Sequence, residues 1–324
     1  MRSPLAVVVL NYRTPDLTLR CLESLSREVE DGIEVIVVDN ASNDGSAETF
    51  ETAIAREAWT PWARVLRAPK NGGFAYGNNL GIRAADADAY LLLNSDTQVL
   101  PGTLREIRHA LEVRKDAGLI GTSYEKDDGS DVNGAFRTIN PITELLRAAS
   151  TGPLSKLLAR HETEIPLGDA PQVVDWIAFA AVTIRRDVID EIGLLDEAYF
   201  MYFEDLDYCL RAQARGWNTV YWPAARVVHS LGGSSQITAE HSDEVRRRRP
   251  PRYYYEARSR YFAKHYGRHG LLLANVLWNA GWAVSLARAA VERKPLHHRR
   301  YEAIDIWINA TQPMAPYTRV GAKA

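Results

Sequence analysis

The alternation of apolar runs with amphipathic segments constrains the fold of this chain more than any other feature. Four runs read as strands: Leu5–Leu10, Glu34–Asp39, Ala63–Arg67 and Ala89–Leu93. The first two are continuous and rich in β-branched residues, which is typical of parallel strands buried on both faces. Since a helical pattern separates each strand from the next, the spacing predicts right-handed βαβ units and a mostly parallel sheet, an α/β fold.

The same pattern predicts where the helices and the later strands lie. We expect the helices to be Asp16–Leu25, Ser46–Arg56, Gly77–Asp86, one opening at Pro101 and one beginning at Asp207. Short strands are expected within residues 118–140, over Val173–Arg185, and at Thr219–Trp222 and Arg226–His229. A helix and a loop are expected over residues 141–170. No internal repeat is evident.

Length and charge indicate two parts. The 324 residues exceed the usual size of one domain, and a composition of 46% apolar and 25% charged residues excludes collagen-like and wholly disordered chains. The net charge of −2 conceals a split, because residues 1–240 carry −12 and residues 241–324 carry +10. A basic tail on an acidic body suggests contact with an anionic group such as phosphate or a lipid headgroup.

Two further features concern the compartment. The two cysteines, Cys21 and Cys209, are too few for a disulfide framework, and we expect no signal peptide, so a reducing cytosol is favoured. The longest apolar stretch is Leu271–Val291, which contains Asn275, Asn279 and Arg288 and is therefore too polar for a typical spanning helix. It predicts an amphipathic helix that either lies on a membrane or packs against a partner or the core.

Polar clusters follow the predicted strands. They are Asn11–Arg13, Asp39–Ser46, Asn71–Asn79 and Asn94–Asp96. Because ligands of open α/β sheets bind beyond the carboxyl ends of the strands, these clusters predict one shared pocket. Residues 11–16 offer no G-x-G-x-x-G sequence, and the chain has no Walker A sequence. A dinucleotide-dependent dehydrogenase and a P-loop enzyme are therefore disfavoured.

Five motifs, in order and spacing, resemble family 2 glycosyltransferases with the GT-A fold, and most closely the bacterial rhamnosyltransferase-like members. They are Val-Val-Leu-Asn-Tyr (8–12), Val-Asp-Asn-Ala-Ser-Asn-Asp-Gly-Ser (38–46), Asn-Gly-Gly-Phe-Ala-Tyr-Gly-Asn-Asn (71–79), Leu-Asn-Ser-Asp (93–96) and Tyr-Phe-Glu-Asp-Leu-Asp-Tyr-Cys-Leu-Arg (202–211). The resemblance covers about residues 5–235. It implies a GT-A catalytic domain at 1–235 and a basic, mainly helical extension at 236–324.

The resemblance assigns roles to the carboxylates. It implies that Asp39 accepts a hydrogen bond from the imide N–H of uracil or thymine, although a turn-capping role is the alternative. Asn94-Ser95-Asp96 resembles the D-x-D signature with Asn in its first position. Asp96 is then a ligand of Mg²⁺ or Mn²⁺ that bridges the donor diphosphate, while neutral Asn94 is a weaker ligand or a ribose contact. In related enzymes a histidine placed like His229 completes the metal shell; a structural histidine is the alternative.

Glu204 and Asp205 resemble the family's Glu-Asp motif, which assigns Asp205 as the general base and Glu204 as its neighbour. Inversion at an anomeric carbon requires that the acceptor hydroxyl lose its proton on the face opposite the leaving diphosphate, and a positioned carboxylate does this. Adjacent like charges raise the pKa of one member of such a pair. The alternative is an acidic first turn that interacts with a helix dipole.

The remaining candidates surround the donor. Nucleotide-sugar contacts are expected from Asn11, Arg13, Asn71, Gly73, Asn78, Asn94, Ser95, Trp176 and Arg249. The glycines permit close approach of the backbone, although packing of the next helix explains them almost as well. Trp176 can stack on a sugar or serve the core. The arginines at 246–249 suit a donor or acceptor diphosphate better than nucleic acid, because the rest of the chain is acidic; a solvated loop is the alternative.

Together these features predict an inverting, metal-dependent glycosyltransferase of cell-wall or polysaccharide biosynthesis that adds a single sugar. The donor is expected to be a dTDP- or UDP-sugar, first dTDP-rhamnose, and the acceptor a glycan or a polyprenyl-diphosphate-linked glycan. We expect a cytoplasmic protein, peripheral on the membrane if the C-terminal helix contacts it. A sugar-phosphate nucleotidyltransferase and a non-catalytic glycan- or membrane-binding module remain alternatives, and a homodimer stays open.

Overall fold

The computed structural model describes residues 2–230, 249–292 and 301–318. Its strands are β1 Leu5–Asn11, β2 Ile33–Asp39, β3 Ala63–Arg67, β4 Ala89–Asn94, β5 Thr97–Val99, β6 Ala117–Glu125, β7 Asp131–Val132, β8 Ala135–Phe136, β9 Gln172–Val174, β10 Trp176–Ile177, β11 Ala181–Arg185 and β12 Asn218–His229. Its helices are α1 Pro15–Ser26, α2 Ser46–Arg56, α3 Gly73–Ala84, α4 Thr103–Val113, α5 Pro141–Ala149, α6 Gly152–Leu157, α7 Arg186–Ile192, α8 Glu204–Gln213, α9 Arg252–Glu292 and α10 Glu302–Asp305.

The chain forms two compact units. The first contains residues 1–136, 166–197 and 204–248, and the second contains residues 137–165, 198–203 and 249–324. Segments of the two units therefore alternate along the sequence. The predicted domain division at 235/236 describes catalytic and tail regions and stays a prediction.

A central sheet organises the first unit, with strand order β3-β2-β1-β4-β11-β6-β12-β5. Strands β3, β2, β1 and β4 are parallel, and so are β6 and β12. Strand β11 runs antiparallel between β4 and β6. The predicted α/β class with a mostly parallel central sheet is thus confirmed. The register pairs Asn11 with Asp39 and Leu10 with Asn94, so the predicted polar clusters share one edge of the sheet.

Close packing of α3 on the sheet explains why residues 77 and 81 are glycines. A Cβ atom at Gly81 would lie 2.3 Å from Cγ1 of Val8, and one at Gly77 would lie 2.3 Å from Cδ1 of Leu10. Helix α3 begins at Gly73 rather than at the predicted Gly77, because Asn71 Oδ1 accepts a hydrogen bond from the Gly73 N–H at 3.0 Å. The segment expected to be a loop is therefore the first turn of a helix.

Other boundaries also differ from the predictions. Helix α8 begins at Glu204, three residues before the predicted Asp207, so the Glu-Asp pair lies in its first turn. The two strands expected around residues 219–229 form the single strand β12, with a shift in register between Trp222 and Arg226. Strand β5 was not predicted, because its three residues are too few to show a periodic pattern.

The second unit is helical. Helix α5 packs against α9, where a Cβ atom at Gly281 would lie 2.4 Å from the carbonyl oxygen of Leu145. A fully buried Arg258 on α9 donates hydrogen bonds to Glu144 Oε2 and, at 2.7 Å, to Asn275 Oδ1. Helix α9 is interrupted at Gly267, whose φ of 70° is left-handed. The predicted helix over Leu271–Val291 lies in its second part.

Substitution of Gly81 by alanine tests the packing of α3 on β1. We expect the free energy of unfolding to fall by about 1–3 kcal/mol, because the added methyl group meets stiff β-branched side chains. Gly152→Ala is the matched control, since no atom lies within 4 Å of its added Cβ and its φ is not left-handed. Urea unfolding of both variants checks this, and equal stability would contradict the proposed packing.

Candidate active site

Asn11 and Asp39 join the ends of β1 and β2. Asn11 Nδ2 donates hydrogen bonds to Asp39 Oδ1 at 2.8 Å and to Ser42 Oγ at 3.1 Å. The backbone N–H of Ser42 donates to Asp39 Oδ2 at 3.2 Å, which is the turn-capping interaction. Asp39 keeps a 6% exposed fraction and Asn11 none. Hydrogen bonds within the protein thus orient the Asp39 carboxylate.

Asn11 is fully buried, and its predicted role as a direct donor contact stays a prediction. Both amide hydrogens are used within the protein, and Oδ1 accepts from Thr14 and Thr18. Asn11 is therefore a positioning residue for Asp39. Arg13, unlike Asn11, is exposed. Its backbone is left-handed, with φ of 58°, and its Nε donates a hydrogen bond to the Ser42 carbonyl oxygen at 3.2 Å.

The loop before α3 is joined to the end of β2 through Asn40. Asn40 Nδ2 donates to Asn71 Oδ1 and to the Gly73 carbonyl oxygen, both at 3.1 Å. Asn78 is 1% exposed; its Nδ2 donates to the Phe74 carbonyl oxygen, and its Oδ1 accepts no hydrogen bond from the residues that the structure describes. Asn40 thus ties Asn71 and Gly73 to the end of β2, whereas the Asn78 side chain is buried within α3.

Asp96 and His229 come together although 132 positions along the chain separate them. Nε2 of His229 lies 3.3 Å from Oδ1 of Asp96, and both side chains are largely buried. Strand pairing causes this approach, since β12 pairs with β5 immediately after Asp96 and aligns His229 with Thr97. One carboxylate oxygen and one imidazole nitrogen at this distance form a donor set that suits a divalent cation.

The other two residues of the Asn94-Ser95-Asp96 segment have different environments. Asn94 ends β4 with a half-buried side chain, and its backbone N–H donates to the Ala180 carbonyl oxygen at 2.9 Å. Ser95 is 1% exposed and its Oγ lies 2.8 Å from Thr14 Oγ1. Ser95 thus holds the start of α1, and its hydroxyl is engaged there. Across residues 2–230, 249–292 and 301–318, no group of three His, Cys, Asp or Glu side chains forms a metal site.

The Glu204-Asp205 pair lies in the first turn of α8, next to a turn between β10 and β11. The carboxylate of Asp205 accepts hydrogen bonds from the backbone N–H groups of Leu206, at 2.7 Å, and Phe179. Burial raises the pKa of Asp205 to about 6. Burial, together with the neighbouring Asp205 carboxylate, raises the pKa of Glu204 well above its ordinary value. Near neutral pH, this arrangement favours one negative charge on the pair, held by Asp205.

The turn at residues 178–181 connects Asp205 with the metal-binding candidates. Its Phe179 N–H contacts Asp205, and its Ala180 carbonyl oxygen accepts from the N–H of Asn94. Tyr124 braces the turn, because its hydroxyl donates to the Ala178 carbonyl oxygen, and its ring centroid lies 5.9 Å from that of His229. Sequence reasoning missed Tyr124; the signal was only a tyrosine in a predicted strand.

Known proteins show which family the chain resembles. Residues 6–165 match the family described as Glycosyl transferase family 2. N-acetylglucosaminyl-diphospho-decaprenol L-rhamnosyltransferase of Mycobacterium tuberculosis is 29% identical over 251 residues, which cover 72% of this chain and 78% of that protein. The chain is a glycosyltransferase similar to those of family 2, and it is rhamnosyltransferase-like.

Solved structures show that this glycosyltransferase has the GT-A fold. A mannosyltransferase from Pyrobaculum calidifontis, solved with GDP-Man and Mn²⁺, is 15% identical, with a TM-score of 0.57 and coverage of 97% of this chain and 82% of that chain. TarS 1–349 of S. aureus, solved with UDP-GlcNAc, gives a TM-score of 0.55 at 15% identity, with 97% and 82% covered. The fold predicted from the five motifs is thereby confirmed.

Trp176 and Arg249, two predicted donor contacts of the glycosyltransferase, interact with other side chains of the protein. The ring of Trp176 stacks on Phe136, with centroids 4.6 Å apart, across the β10–β8 pair. Arg249 belongs to the second unit, where it donates hydrogen bonds to both carboxylate oxygens of Asp305. The predicted donor contacts of Trp176 and Arg249 stay predictions. Residues 246–248 of the arginine cluster lie outside the described residues.

Asp205→Asn separates catalysis from stability. Because the raised pKa means that burial disfavours the ionised carboxylate, the folded state loses stability as pH rises towards and through about 6. The neutral amide avoids that loss, so we expect a higher melting temperature at pH 7.5 together with transfer reduced about 100- to 10,000-fold. Calorimetry and a transfer assay measure the two effects.

Asp131→Asn is the control, because Asp131 is exposed and lies in β7 of the same unit. In the wild-type enzyme, the rate of transfer should rise with pH through about 6, as Asp205 becomes ionised. Transfer that is unchanged in Asp205→Asn would remove Asp205 as the base.

Proposed function

We propose that this glycosyltransferase transfers a single sugar, with inversion and with Mg²⁺ or Mn²⁺, from a dTDP- or UDP-sugar to a polyprenyl-diphosphate-linked glycan. The observation that carries the proposal is the short path from Asp205, through the turn at 178–181, to Asp96 and His229. It provides a base for the acceptor and a cation site for the leaving group on one sheet edge.

The donor is bound by the ends of β1 and β2. Asp39 accepts a hydrogen bond from the imide N–H of the base, which uracil and thymine share. The Asn11 and Ser42 hydrogen bonds hold the carboxylate in one orientation, so its entropic cost on binding is small. Exposed Arg13 adds a positive charge beside this position. dTDP-rhamnose is the first candidate donor, since the Mycobacterium relative is named an L-rhamnosyltransferase.

A divalent cation fits the Asp96–His229 pair. The carboxylate of Asp96 and the imidazole of His229 would hold it, with half-buried Asn94 as a weaker oxygen ligand. Two protein ligands suffice, because such cations take further oxygens from substrate phosphates and water. When bound, the cation neutralises charge that develops on the departing diphosphate. The mannosyltransferase with similar fold was solved with Mn²⁺, which supports this proposal.

Asp205 activates the acceptor. The acceptor hydroxyl gives its proton to the Asp205 carboxylate while its oxygen forms a bond to the anomeric carbon. The bond between that carbon and the diphosphate oxygen breaks, and the nucleoside diphosphate leaves with the electron pair. Attack from the opposite face inverts the anomeric configuration. A pKa of about 6 suits the base, because it is ionised at neutral pH and still accepts a proton.

The helix over Leu271–Val291 supports a membrane location for the acceptor. Every exposed position from 271 to 291 is apolar: Leu272, Leu273, Val276, Ala280, Ala283, Val284, Leu286, Ala287, Ala290 and Val291. The polar residues noted in the sequence face inwards, since Asn275 is fully buried, Asn279 donates to the Asn275 carbonyl oxygen and Arg288 to that of Ser150. We define these ten residues as the apolar face of α9.

An anionic membrane surface is the occupant that we propose for the apolar face. By length and composition α9 could span a membrane, but its other face packs against α5 and buries Trp278. Lys264 and Arg268 precede the face, and Arg293, Lys294, Arg299 and Arg300 follow it in the sequence. Basic flanks around an apolar face attract anionic headgroups. The enzyme is then cytoplasmic and peripheral.

Nucleotide binding tests the donor and the cation together. We expect UDP or dTDP to raise the melting temperature only when Mn²⁺ is present, since bound ligand stabilises the folded state. His229→Ala should reduce the shift, whereas His269→Ala, at an exposed position on α9, should leave it unchanged. Fluorimetry with UDP, dTDP and GDP measures this. The absence of any metal-dependent shift in melting temperature would contradict the proposed donor and cation site.

Vesicle co-sedimentation tests the membrane surface. Replacing Leu272 and Val276 by Asp should weaken binding to phosphatidylglycerol vesicles about tenfold or more, while Val113→Asp, at an exposed apolar position on α4, should not. Equal binding by all three proteins contradicts the proposal. A wild-type dimer that the double substitution dissociates, without vesicle binding, would instead make the apolar face a subunit interface.

A further inference from the structure

The hydroxyl of Tyr124 is hydrogen-bonded to two peptide groups of the turn at residues 178–181. It donates to the Ala178 carbonyl oxygen and accepts from the Ala181 N–H at 3.3 Å. The tyrosine lies in β6 and is 3% exposed, so bulk water competes little for these bonds. One hydroxyl therefore joins two peptide groups, as the donor to the first and the acceptor from the second.

The first of these peptide groups ends on Asp205. The Ala178 carbonyl and the Phe179 N–H belong to one planar peptide group, in which they point in opposite directions. The carbonyl oxygen accepts from the Tyr124 hydroxyl, and the N–H donates to the Asp205 carboxylate. A hydrogen bond to the carbonyl oxygen polarises the peptide group and strengthens its N–H as a donor. Tyr124 therefore acts on Asp205 through a single peptide group.

The second peptide group leads back to the end of β4. The Ala181 N–H belongs to the same peptide group as the Ala180 carbonyl oxygen, which accepts from the Asn94 N–H at 2.9 Å. Four hydrogen bonds thus run in one direction and end on the Asp205 carboxylate; their donors are the Asn94 N–H, the Ala181 N–H, the Tyr124 hydroxyl and the Phe179 N–H. We call them the Tyr124 hydrogen-bond chain. Because aligned hydrogen bonds strengthen one another, the chain favours a negative charge at its end.

Glycine at position 134 makes room for the tyrosine ring. A Cβ atom there would lie 2.2 Å from Cε2 of Tyr124. The Gly134 carbonyl oxygen also accepts a hydrogen bond from the Ala178 N–H at 2.8 Å. Residue 134 therefore contacts both the ring and the turn, and a side chain at this position would displace the Tyr124 hydroxyl from the turn.

The titratable groups around Asp205 are Glu204 and Cys209 on α8 and Tyr124 on β6. Burial raises the pKa of all three groups, so the neutral form of each is favoured near pH 7. The charge on Asp205 is therefore stabilised by its backbone N–H donors, and the Phe179 N–H is one of them.

We propose that Tyr124 is a positioning residue whose hydroxyl, through the peptide group of Ala178 and Phe179, stabilises Asp205 in the ionised form that takes the acceptor's proton. This inference rests on the proposed function, in which Asp205 is the base. A tyrosine with a merely structural role would hold β6 and the turn together without altering the titration of Asp205.

Replacing Tyr124 by phenylalanine removes the hydroxyl and keeps the ring. The probe is the ¹³C carboxyl resonance of Asp205, assigned with Asp205→Asn and followed by NMR over a pH titration of the full-length protein without substrates. In the wild type we expect a midpoint at about pH 6. In Tyr124→Phe the midpoint should rise by about half a pH unit or more, since a weaker Phe179 donor favours the ionised form less. Gly134→Ala should shift the midpoint in the same direction.

Tyr90→Phe is the matched control. Tyr90 is also 3% exposed, and its hydroxyl donates to the Ala85 carbonyl oxygen at 3.2 Å and accepts from the Ala87 N–H at 3.4 Å. These bonds are of the same kind but lie at the start of β4, whereas Asn94 ends that strand. We expect Tyr90→Phe to leave the Asp205 midpoint unchanged.

An unchanged Asp205 midpoint in Tyr124→Phe, or an equal rise in Tyr124→Phe and Tyr90→Phe, would overturn the inference. The transfer rate of Asp205→Asn keeps this failure distinct from failure of the proposed function. A raised midpoint in Tyr124→Phe, with transfer that Asp205→Asn leaves unchanged, would support the hydrogen-bond chain and reject Asp205 as the base. An unchanged midpoint, with transfer that Asp205→Asn abolishes, would reject only the hydrogen-bond chain.

Discussion

The candidate active site depends on the hydrogen bonds that fix the turn at residues 178–181. The turn has no side chain that can act chemically, but its backbone bonds to Asn94 on one side and Asp205 on the other. Tyr124 holds it through its hydroxyl and places its own ring beside His229. Because backbone geometry is stiff, Asp205 and the proposed cation ligands Asp96 and His229 keep a set spacing, which the proposed catalysis by positioning requires.

This arrangement has a stability cost that the fold offsets elsewhere. Burial raises the pKa of both Glu204 and Asp205, and the Asp205 carboxylate raises that of Glu204 further, so the folded state holds the pair's charge unfavourably. The sheet compensates with strands such as β1, whose apolar residues Leu5 to Val9 are fully buried. In the second unit, the Arg258–Glu144 pair is also buried, yet it is hydrogen-bonded and links α5 with α9.

The sequence permitted prediction of the parts whose periodicity is strong. Helix α2 and strand β3 have the predicted bounds, and the sheet edge gathers Asn11, Asp39 and Asp96 as expected. Periodicity could not show local hydrogen bonds, such as the one that the Gly73 N–H donates to Asn71 Oδ1 at the start of α3. The sequence also could not show side-chain partners that are distant along the chain. Examples are the hydrogen bond from Asn11 to Asp39 and the one from Tyr124 to Ala178.

We propose that Asp205 promotes a single direct displacement at the anomeric carbon, assisted by a cation at Asp96 and His229. The most direct test is the anomeric configuration of the product, read from the one-bond C1–H1 coupling in NMR spectra of the linkage formed from a donor of known configuration. We expect a configuration opposite to that of the donor. A product that retains the donor's configuration would contradict it, because retention requires a different attack on the anomeric carbon.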